Sequence, residues 1–344
     1  MIISTMKSKA DIAYDPQAPA AGSLPQVTPG RIAIAAALLA VVFFLPQGGR
    51  FLLSLANTAA ITAIGAMGLT VLVGTAGLLS LGQAAFLALG AFTAALLVSY
   101  TGAGFLATLL SGGVCAALIG IVIAAATART AGIYLAVGTL ALQFVVELLL
   151  TDVEVKLTAA LGFQMAPPVL LGLAIDTEKA WWFLLCGLMF AIWLTLRWIV
   201  RGQPGRNWVC MREHAAVANS LGISVIRSRM AVFALSSFVA GVAGALHGYY
   251  IGTVQITNYS LHLSIVYLTV VVLGRLGSIG GAIWAAAFVT ALPHMLSWLL
   301  RTMGVDVTSR GAGVENIALG LILTLVLLRA PQRVLKLVRG GEKK

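Results

Sequence analysis

The stretch that decides the fold is GTAGLLSLGQAAFLALGAF, residues 74–92. It places Gly74, Gly77 and Gly82 close together between two long apolar runs. Within it, Ser80 and Gln83 stand three residues apart ahead of a helical apolar run, which is the spacing of a capping box. The spacing predicts a helix that begins here and whose first N–H groups are bound by these two side chains.

An interruption of this kind survives in hydrocarbon only where protein or a polar cavity covers the backbone. A helix that begins partway through a membrane also directs the positive end of its dipole at whatever fills that cavity. The spacing leaves two interpretations open. The break either lines a transport path or is a capped helix start that happens to be buried.

The composition is that of a membrane protein. The chain has 344 residues, of which 60% are hydrophobic and 10% are charged, whereas soluble domains carry roughly a quarter charged residues. Its 37 glycines suit close contacts between helices. The net charge of +11 comes from residues between and after the apolar runs, which indicates an orientation signal rather than a nucleic-acid face. The three cysteines and four scattered histidines predict neither a disulfide nor a metal site.

We therefore predict an all-α polytopic membrane protein of about ten transmembrane helices, with glycine-rich broken or re-entrant segments. The predicted spans are residues 32–45, 51–73, 83–100, 105–127, 130–150, 181–200, 230–251, 261–273, 282–300 and 314–328. They form a transmembrane domain over residues 31–329, between a flexible tail at 1–30 and a basic tail at 330–344. The eighth span is short for a full crossing, so a re-entrant piece is the alternative there.

Basic residues cluster on one side of this predicted bundle. The segment 197–229 holds six arginines against one acid, and residues 329–344 hold six basic residues against one acid. By the positive-inside rule, both termini and the loop 201–229 are cytoplasmic, and the acid-bearing loop 151–179 lies on the opposite side. Arg50 opposes this orientation and is outvoted by these clusters.

The basic loop contains a predicted short helix over residues 208–221, ended by Gly222. Its mixed faces allow it to lie in the headgroups, which composition favours, or to dock into the groove of a cytoplasmic partner. Further along, SIGGA at residues 278–282 repeats the pattern of SLGQA at residues 80–84, again before an apolar run. Two glycine-interrupted segments of this kind point to the position of a transport path.

Three stretches carry a family resemblance: GLLSLGQAAFLALGAFTAALL (77–97), the loop 205–223, and LSIVYLTVVVLGRLGSIGGAIWAA (263–286). Together with a weaker match at GIYLAVGTLALQ (132–143), they resemble the inner-membrane permeases of ATP-binding-cassette importers for branched-chain amino acids, LivM type. In that family the loop is the coupling loop. The family usually has Thr-Gly-Gly where Thr158-Ala159-Ala160 stands here, and Gly-Gly where Gly274-Arg275 stands.

The resemblance implies a non-catalytic permease subunit of the bacterial inner membrane, with a periplasmic loop at 151–179. Its implied partners are a second homologous permease, two ATP-binding-cassette ATPases and a periplasmic solute-binding protein. The chain would bind no cofactor, because ATP is used by the ATPases and no phosphate-binding Gly-x-x-x-x-Gly-Lys-Ser/Thr motif is present. The expected substrates are branched-chain amino acids or related small polar solutes, with urea or short amides and small aromatic acids as alternatives. A secondary transporter or channel needs charges inside the spans, which hold almost none besides Glu147.

Three groups of residues are expected to carry out transport and its coupling to the ATPases. The solute path is expected to be lined by Ser80, Gly82, Gln83, Gln143 and Thr158. The loop that couples to the ATPases is expected to use Arg206, Arg212, Glu213, Leu221 and Gly222. The glycine-rich turn between two later spans is formed by Gly274, Gly277, Ser278 and Gly281.

Overall fold

The computed structural model describes residues 49–127, 133–170, 173–302 and 320. The first predicted span and both predicted tails lie outside these residues, and so does the tenth predicted span apart from residue 320. The α-helices of the described part are α1 Arg50–Thr70, α2 Gln83–Thr101, α3 Phe105–Ala126, α4 Ile133–Thr158, α5 Glu178–Arg201, α6 Gln203–Glu213, α7 Ala215–Ser220, α8 Val225–Ile251, α9 Leu261–Leu273 and α10 Ile279–Thr302. A π-helical turn, Val71–Thr75, continues α1, and a 3₁₀ turn, Ile256–Tyr259, precedes α9. The strands are β1 Phe163–Gln164, β2 Val169–Leu170, β3 Leu173–Ala174 and β4 Thr253–Val254.

Seven helical segments of the described residues are long and apolar enough to cross a bilayer. They are α1 with its π turn, α2, α3, α4, α5, α8, and α9 with its 3₁₀ turn. Helix α10 contributes a shorter apolar stretch, Ile279–Met295. The predicted all-α polytopic class is therefore confirmed, while the predicted count of ten extends into residues outside the described part.

The most buried helices are α1 and α8, and α8 packs against α1, α2 and α3 at the centre of the bundle. Helices α2, α3 and α8 approach so closely that their backbones touch at Gly90, Gly112 and Gly241, where an added Cβ would meet a neighbouring backbone. Small residues permit such contacts between transmembrane helices. Helix α5 is mostly exposed and lies at the outside.

Two predicted boundaries were wrong. Helix α4 continues to Thr158 rather than ending near residue 150, so the predicted outer loop 151–179 begins as helix. The extension is polar, so hydropathy falls before the helix ends, and an exposed i,i+4 ion pair between Lys156 and Asp152 at 2.6 Å adds a small stabilisation to the helix there. Helix α8 begins at Val225, five residues before the predicted span, after an N-cap in which Ser224 accepts from the N–H of Arg227.

The bundle has two ends, which we name by their elements. Helix α5 runs from the end that holds the short strands to the end that holds α6 and α7. At the strand end, β1 pairs antiparallel with β4, with Phe163 opposite Val254. The neighbouring β2–β3 hairpin pairs Val169 with Ala174. We refer to the two ends as the strand end and the α6 end.

Candidate functional site

The glycine break lies inside the bundle, and α2 starts at mid-depth. The side-chain amide of Gln83 donates to the carbonyl oxygen of Gly65 at 3.1 Å. Gly65 lies 15 residues after Arg50 and 10 residues before Thr75, or about 22 Å and about 15 Å along the helix axis. Helix α2 therefore begins beside the middle of α1 rather than at either membrane surface.

The predicted capping box is wrong. Gly82, not Ser80, is the N-cap of α2, and no side chain caps it. The hydroxyl of Ser80 has no hydrogen-bond partner among the described residues, although the residue is only 1% exposed. The break is buried, so side chains from other helices reach its backbone: the N–H of Leu81 donates to the Thr139 hydroxyl at 2.9 Å. Gly82 itself packs against the carbonyl of Thr139, where an added Cβ would lie 2.6 Å from the oxygen.

A second set of contacts joins the start of α2 to α9, α4 and the 3₁₀ turn. The N–H of Ala84 donates to the hydroxyl of Ser264 at 2.8 Å. That hydroxyl lies 3.5 Å from the Oε1 of Gln143, whose amide nitrogen donates to the carbonyl of Tyr259 at 2.9 Å. The Tyr259 hydroxyl in turn lies 3.1 Å from Nδ1 of His247. Five polar side chains at this level are 1% exposed or less, and we call them the buried polar cluster: Ser80, Gln83, Thr139, Gln143 and Ser264.

Of the predicted path residues, Ser80, Gly82, Gln83 and Gln143 are brought together, whereas Thr158 is not. Thr158 lies 15 residues after Gln143 on α4, about 22 Å along the helix towards the strand end. Its hydroxyl donates to the carbonyl of Glu154. The buried carboxylate of Glu154 accepts from the N–H of Ile256 at 2.8 Å and so fixes the 3₁₀ turn that presents Tyr259.

Sequence reasoning missed Thr139 and Ser264, the two hydroxyls that bind the break. The available signal was a small polar residue within each apolar run. It also missed Asn57, which is fully buried near the strand end and donates to the Glu178 carboxylate at 2.7 Å. Tyr250 donates to the same oxygen at 2.9 Å, so this contact ties α1 and α8 to the start of α5.

The predicted loop helix over 208–221 is two helices, α6 and α7, interrupted at His214, whose backbone is extended at φ −148° and ψ 89°. The prediction failed because no glycine or proline marks the interruption. The predicted stop at Gly222 is confirmed. This residue has φ +79°, its N–H donates to Asn219, and the N–H of Ile223 donates to Ala218, which together form a Schellman motif. The predicted coupling residues are all exposed: Arg206, Arg212, Glu213, Leu221 and Gly222.

Although Arg212 is exposed, its guanidinium reaches the glycine break, where Nη1 donates to the carbonyl oxygen of Gly74. Gly74 also touches the later glycine-rich turn, because an added Cβ on Gly74 would collide with the backbone of Gly277. In that turn, the hydroxyl of Ser278 accepts from the N–H of Gly281 at 3.1 Å, and Gly281 packs against the carbonyl of Gly274. The three sequence motifs therefore meet at the α6 end.

Spanning helices with a buried polar cluster at mid-depth define a polytopic membrane protein of the transport class. The chain belongs to the family described as the branched-chain amino acid transport system / permease component, whose model matches residues 51–328. The molecule is thus a permease component, as the signature stretches predict.

Two relatives are each 28% identical to the chain over 297 residues, which is 79% of this chain and 67% of the relative. They are the high-affinity branched-chain amino acid transport system permease proteins LivM of Salmonella typhimurium and Escherichia coli. A solved structure, PsaBC from Streptococcus pneumoniae in complex with Fab, matches at 16% identity and a TM-score of 0.44. That match covers 88% of this chain and 99% of the other, and a TM-score of this size establishes no shared fold.

Proposed function

We propose that this chain is the non-catalytic translocation subunit of an ATP-driven importer in a bacterial inner membrane. Its proposed solutes are branched-chain amino acids or related small polar compounds. Its proposed partners are a second permease, two ATPase subunits and a periplasmic binding protein. The observation that carries the proposal is the buried polar cluster around the start of α2, two of whose members, Ser80 and Gln83, lie in the first signature stretch.

The chemistry of the cluster suits the carboxylate of an amino acid. A helix start provides a partial positive charge, and an unpaired buried hydroxyl such as that of Ser80 costs about 1–3 kcal/mol, which a bound polar group would recover. The N–H groups of Leu81 and Ala84 are bound by the hydroxyls of Thr139 and Ser264. Hydroxyls can rotate away, so a carboxylate would replace them at these donors.

The side-chain amides of Gln83 and Gln143 flank this position and would orient the solute. Each cluster side chain is 1% exposed or less, so we assign the structure to a state in which this level of the path is closed. The exposed α6–α7 loop is the proposed contact for the ATPases. Closure of the ATPases on ATP would then tilt the helix bundles and open the path to the other side.

The test is uptake by proteoliposomes that contain the full complex with its ATPases and binding protein. We expect leucine uptake that requires ATP, and we expect competition by isoleucine and valine rather than by urea or benzoate. Stronger competition by urea or benzoate would show that the substrate belongs to that class instead.

The Glu213→Lys variant should insert into the membrane and lose ATP-driven uptake, because it reverses the charge on the proposed ATPase contact. Concentrative uptake by the chain alone would contradict the proposal and indicate a secondary transporter.

A further inference from the structure

We infer that Arg212 is a positioning residue that links the coupling loop to the glycine break. It caps the end of the helix formed by α1 and the π turn. Through this contact it transmits movement of α6 to the buried polar cluster and to the later glycine-rich turn. The inference deepens the proposed function and rests on it, because it assumes that the ATPases act on the α6–α7 loop.

The first observation is the bond itself. The π turn leaves the α-helical pattern, since the N–H of Ala76 donates to Val71 and that of Leu78 donates to Leu72. The carbonyl of Gly74 then accepts from the guanidinium of Arg212. Helix carbonyls at a C-terminus carry partial negative charge, so a cation is favoured there. Arg212 thus caps a helix that is distant in the sequence.

The second observation is that glycines surround the hydrogen bond between Arg212 and Gly74, where larger side chains would not fit. Gly77 has φ +69°, and an added Cβ would lie 2.7 Å from the Cγ of Arg212. On the other side, the backbone of Gly74 touches that of Gly277. The Arg212 side chain and the later turn therefore both contact the glycine-rich end of the π turn.

The third observation is the short connection from this point to the cluster. Residues 76–82 join the π turn to the N-cap of α2, and the far end is held by the bond from Leu81 to Thr139. A displacement of Gly74 must therefore strain or move these seven residues and the start of α2. Single-turn π segments inside helices are rare and occur frequently at functional sites.

The experiment compares Arg212→Gln and Arg212→Lys with Arg227→Gln in the reconstituted complex. Arg227 is an exposed arginine of α8 that lies just after the loop, and its side chain makes no hydrogen bond or ion pair with the described residues. The readouts are co-purification of the ATPases, ATP hydrolysis stimulated by leucine-loaded binding protein, and leucine molecules transported per ATP.

We expect the Arg212→Gln complex to assemble and hydrolyse ATP while the number of leucine molecules per ATP falls at least tenfold. Arg212→Lys should retain part of the coupling, because one charged donor remains, and Arg227→Gln should match the wild type. An unchanged ratio in Arg212→Gln, or an equal loss in Arg227→Gln, would overturn the inference. Loss of ATPase co-purification in Arg212→Gln alone would also overturn it, because Arg212 would then serve docking rather than transmission.

A second measurement uses the wild-type complex, so its result does not depend on whether the Arg212 variants fold. Hydrogen exchange of residues 71–82 in the wild-type complex should change when a non-hydrolysable ATP analogue binds, and identical exchange with and without the analogue would contradict the inference. A wild-type complex that transports no tested amino acid would refute the proposed substrate, while the exchange measurement would still decide the role of this segment.

Discussion

The two glycine-rich breaks have similar sequences, SLGQA at residues 80–84 and SIGGA at 278–282, but their backbone groups are satisfied differently. At the second break Ser278 is exposed, and its hydroxyl accepts from the N–H of Gly281 as the N-cap of α10. At the first break Ser80 is buried and makes no such bond, and α2 starts three residues later, at Gln83.

The difference shows that burial decides which groups bind the first N–H groups of a helix. Near the surface, a local serine is sufficient. Inside the bundle, hydroxyls from two other helices bind the N–H groups, and the local serine is left unpaired. An unpaired buried hydroxyl in a native protein requires an explanation. A polar solute that passes this level is the explanation that we propose.

The largest expected effect comes from Gly74→Ala, because Gly74, just before the first break, touches Gly277, just before the second. The added methyl group would collide with the backbone of Gly277, which cannot rotate aside as a side chain can. We expect a loss of stability of about 3 kcal/mol or more, with little folded protein recovered. Fluorescence-detected size-exclusion chromatography of the detergent-solubilised complex measures this.

The matched control is Gly280→Ala, in the first turn of α10, where an added methyl group meets no atom within 4 Å. This variant should be neutral or slightly more stable, since alanine favours helix by about 1 kcal/mol over glycine. Equal behaviour of the two variants would show that the breaks do not touch as described.

The next effect is on transport alone. Ser80→Ala removes a hydroxyl that has no partner among the described residues, so stability should be unchanged or slightly higher. If the hydroxyl binds solute, uptake should fall about tenfold, which corresponds to about 1.4 kcal/mol. Uptake per folded complex, together with a thermal unfolding curve, checks both expectations. Normal uptake would reduce Ser80 to a structural residue.

Ser278→Ala should show the opposite behaviour. It removes a helix cap, so stability should fall by about 0.5–2 kcal/mol while uptake per folded complex stays normal. The measurement is the same pair of assays. A transport defect at full stability would mean that the second break also acts on the solute.

The smallest effect concerns strain. Three non-glycine residues of the described part have positive φ: Ala159 at 51°, Ala160 at 65° and Arg275 at 66°. These are the positions at which the family resemblance predicts glycine. Single changes of each to glycine should raise stability by about 1 kcal/mol, because the left-handed conformation disfavours residues with a Cβ. A lowered melting temperature in any of the three would contradict this explanation.

Much of the fold could be predicted because apolar runs fix membrane spans. The start of α2 at Gln83 and the bounds of α9 were predicted to the residue. The partners of the break could not be predicted, because Thr139 and Ser264 bind residues 58 and 180 positions away in the chain. The predicted capping box was wrong because a local sequence pattern contains no information about burial or about side chains from other helices. The three residues with positive φ could be recognised in the sequence only as departures from an expected glycine. Their left-handed conformation became apparent only in the structure.

The central claim, that the buried polar cluster lines the solute path, is tested most directly by thiol labelling of a Ser80→Cys variant in a background without native cysteines. The control is Ser237→Cys, since the Ser237 hydroxyl is likewise buried and unpartnered within the described part of the chain but lies within α8. During ATP-driven turnover, we predict that a small methanethiosulfonate reagent labels the Ser80→Cys variant, that leucine slows this labelling, and that the control stays unlabelled. A Ser80→Cys complex that transports leucine yet stays unlabelled in every state would contradict the claim.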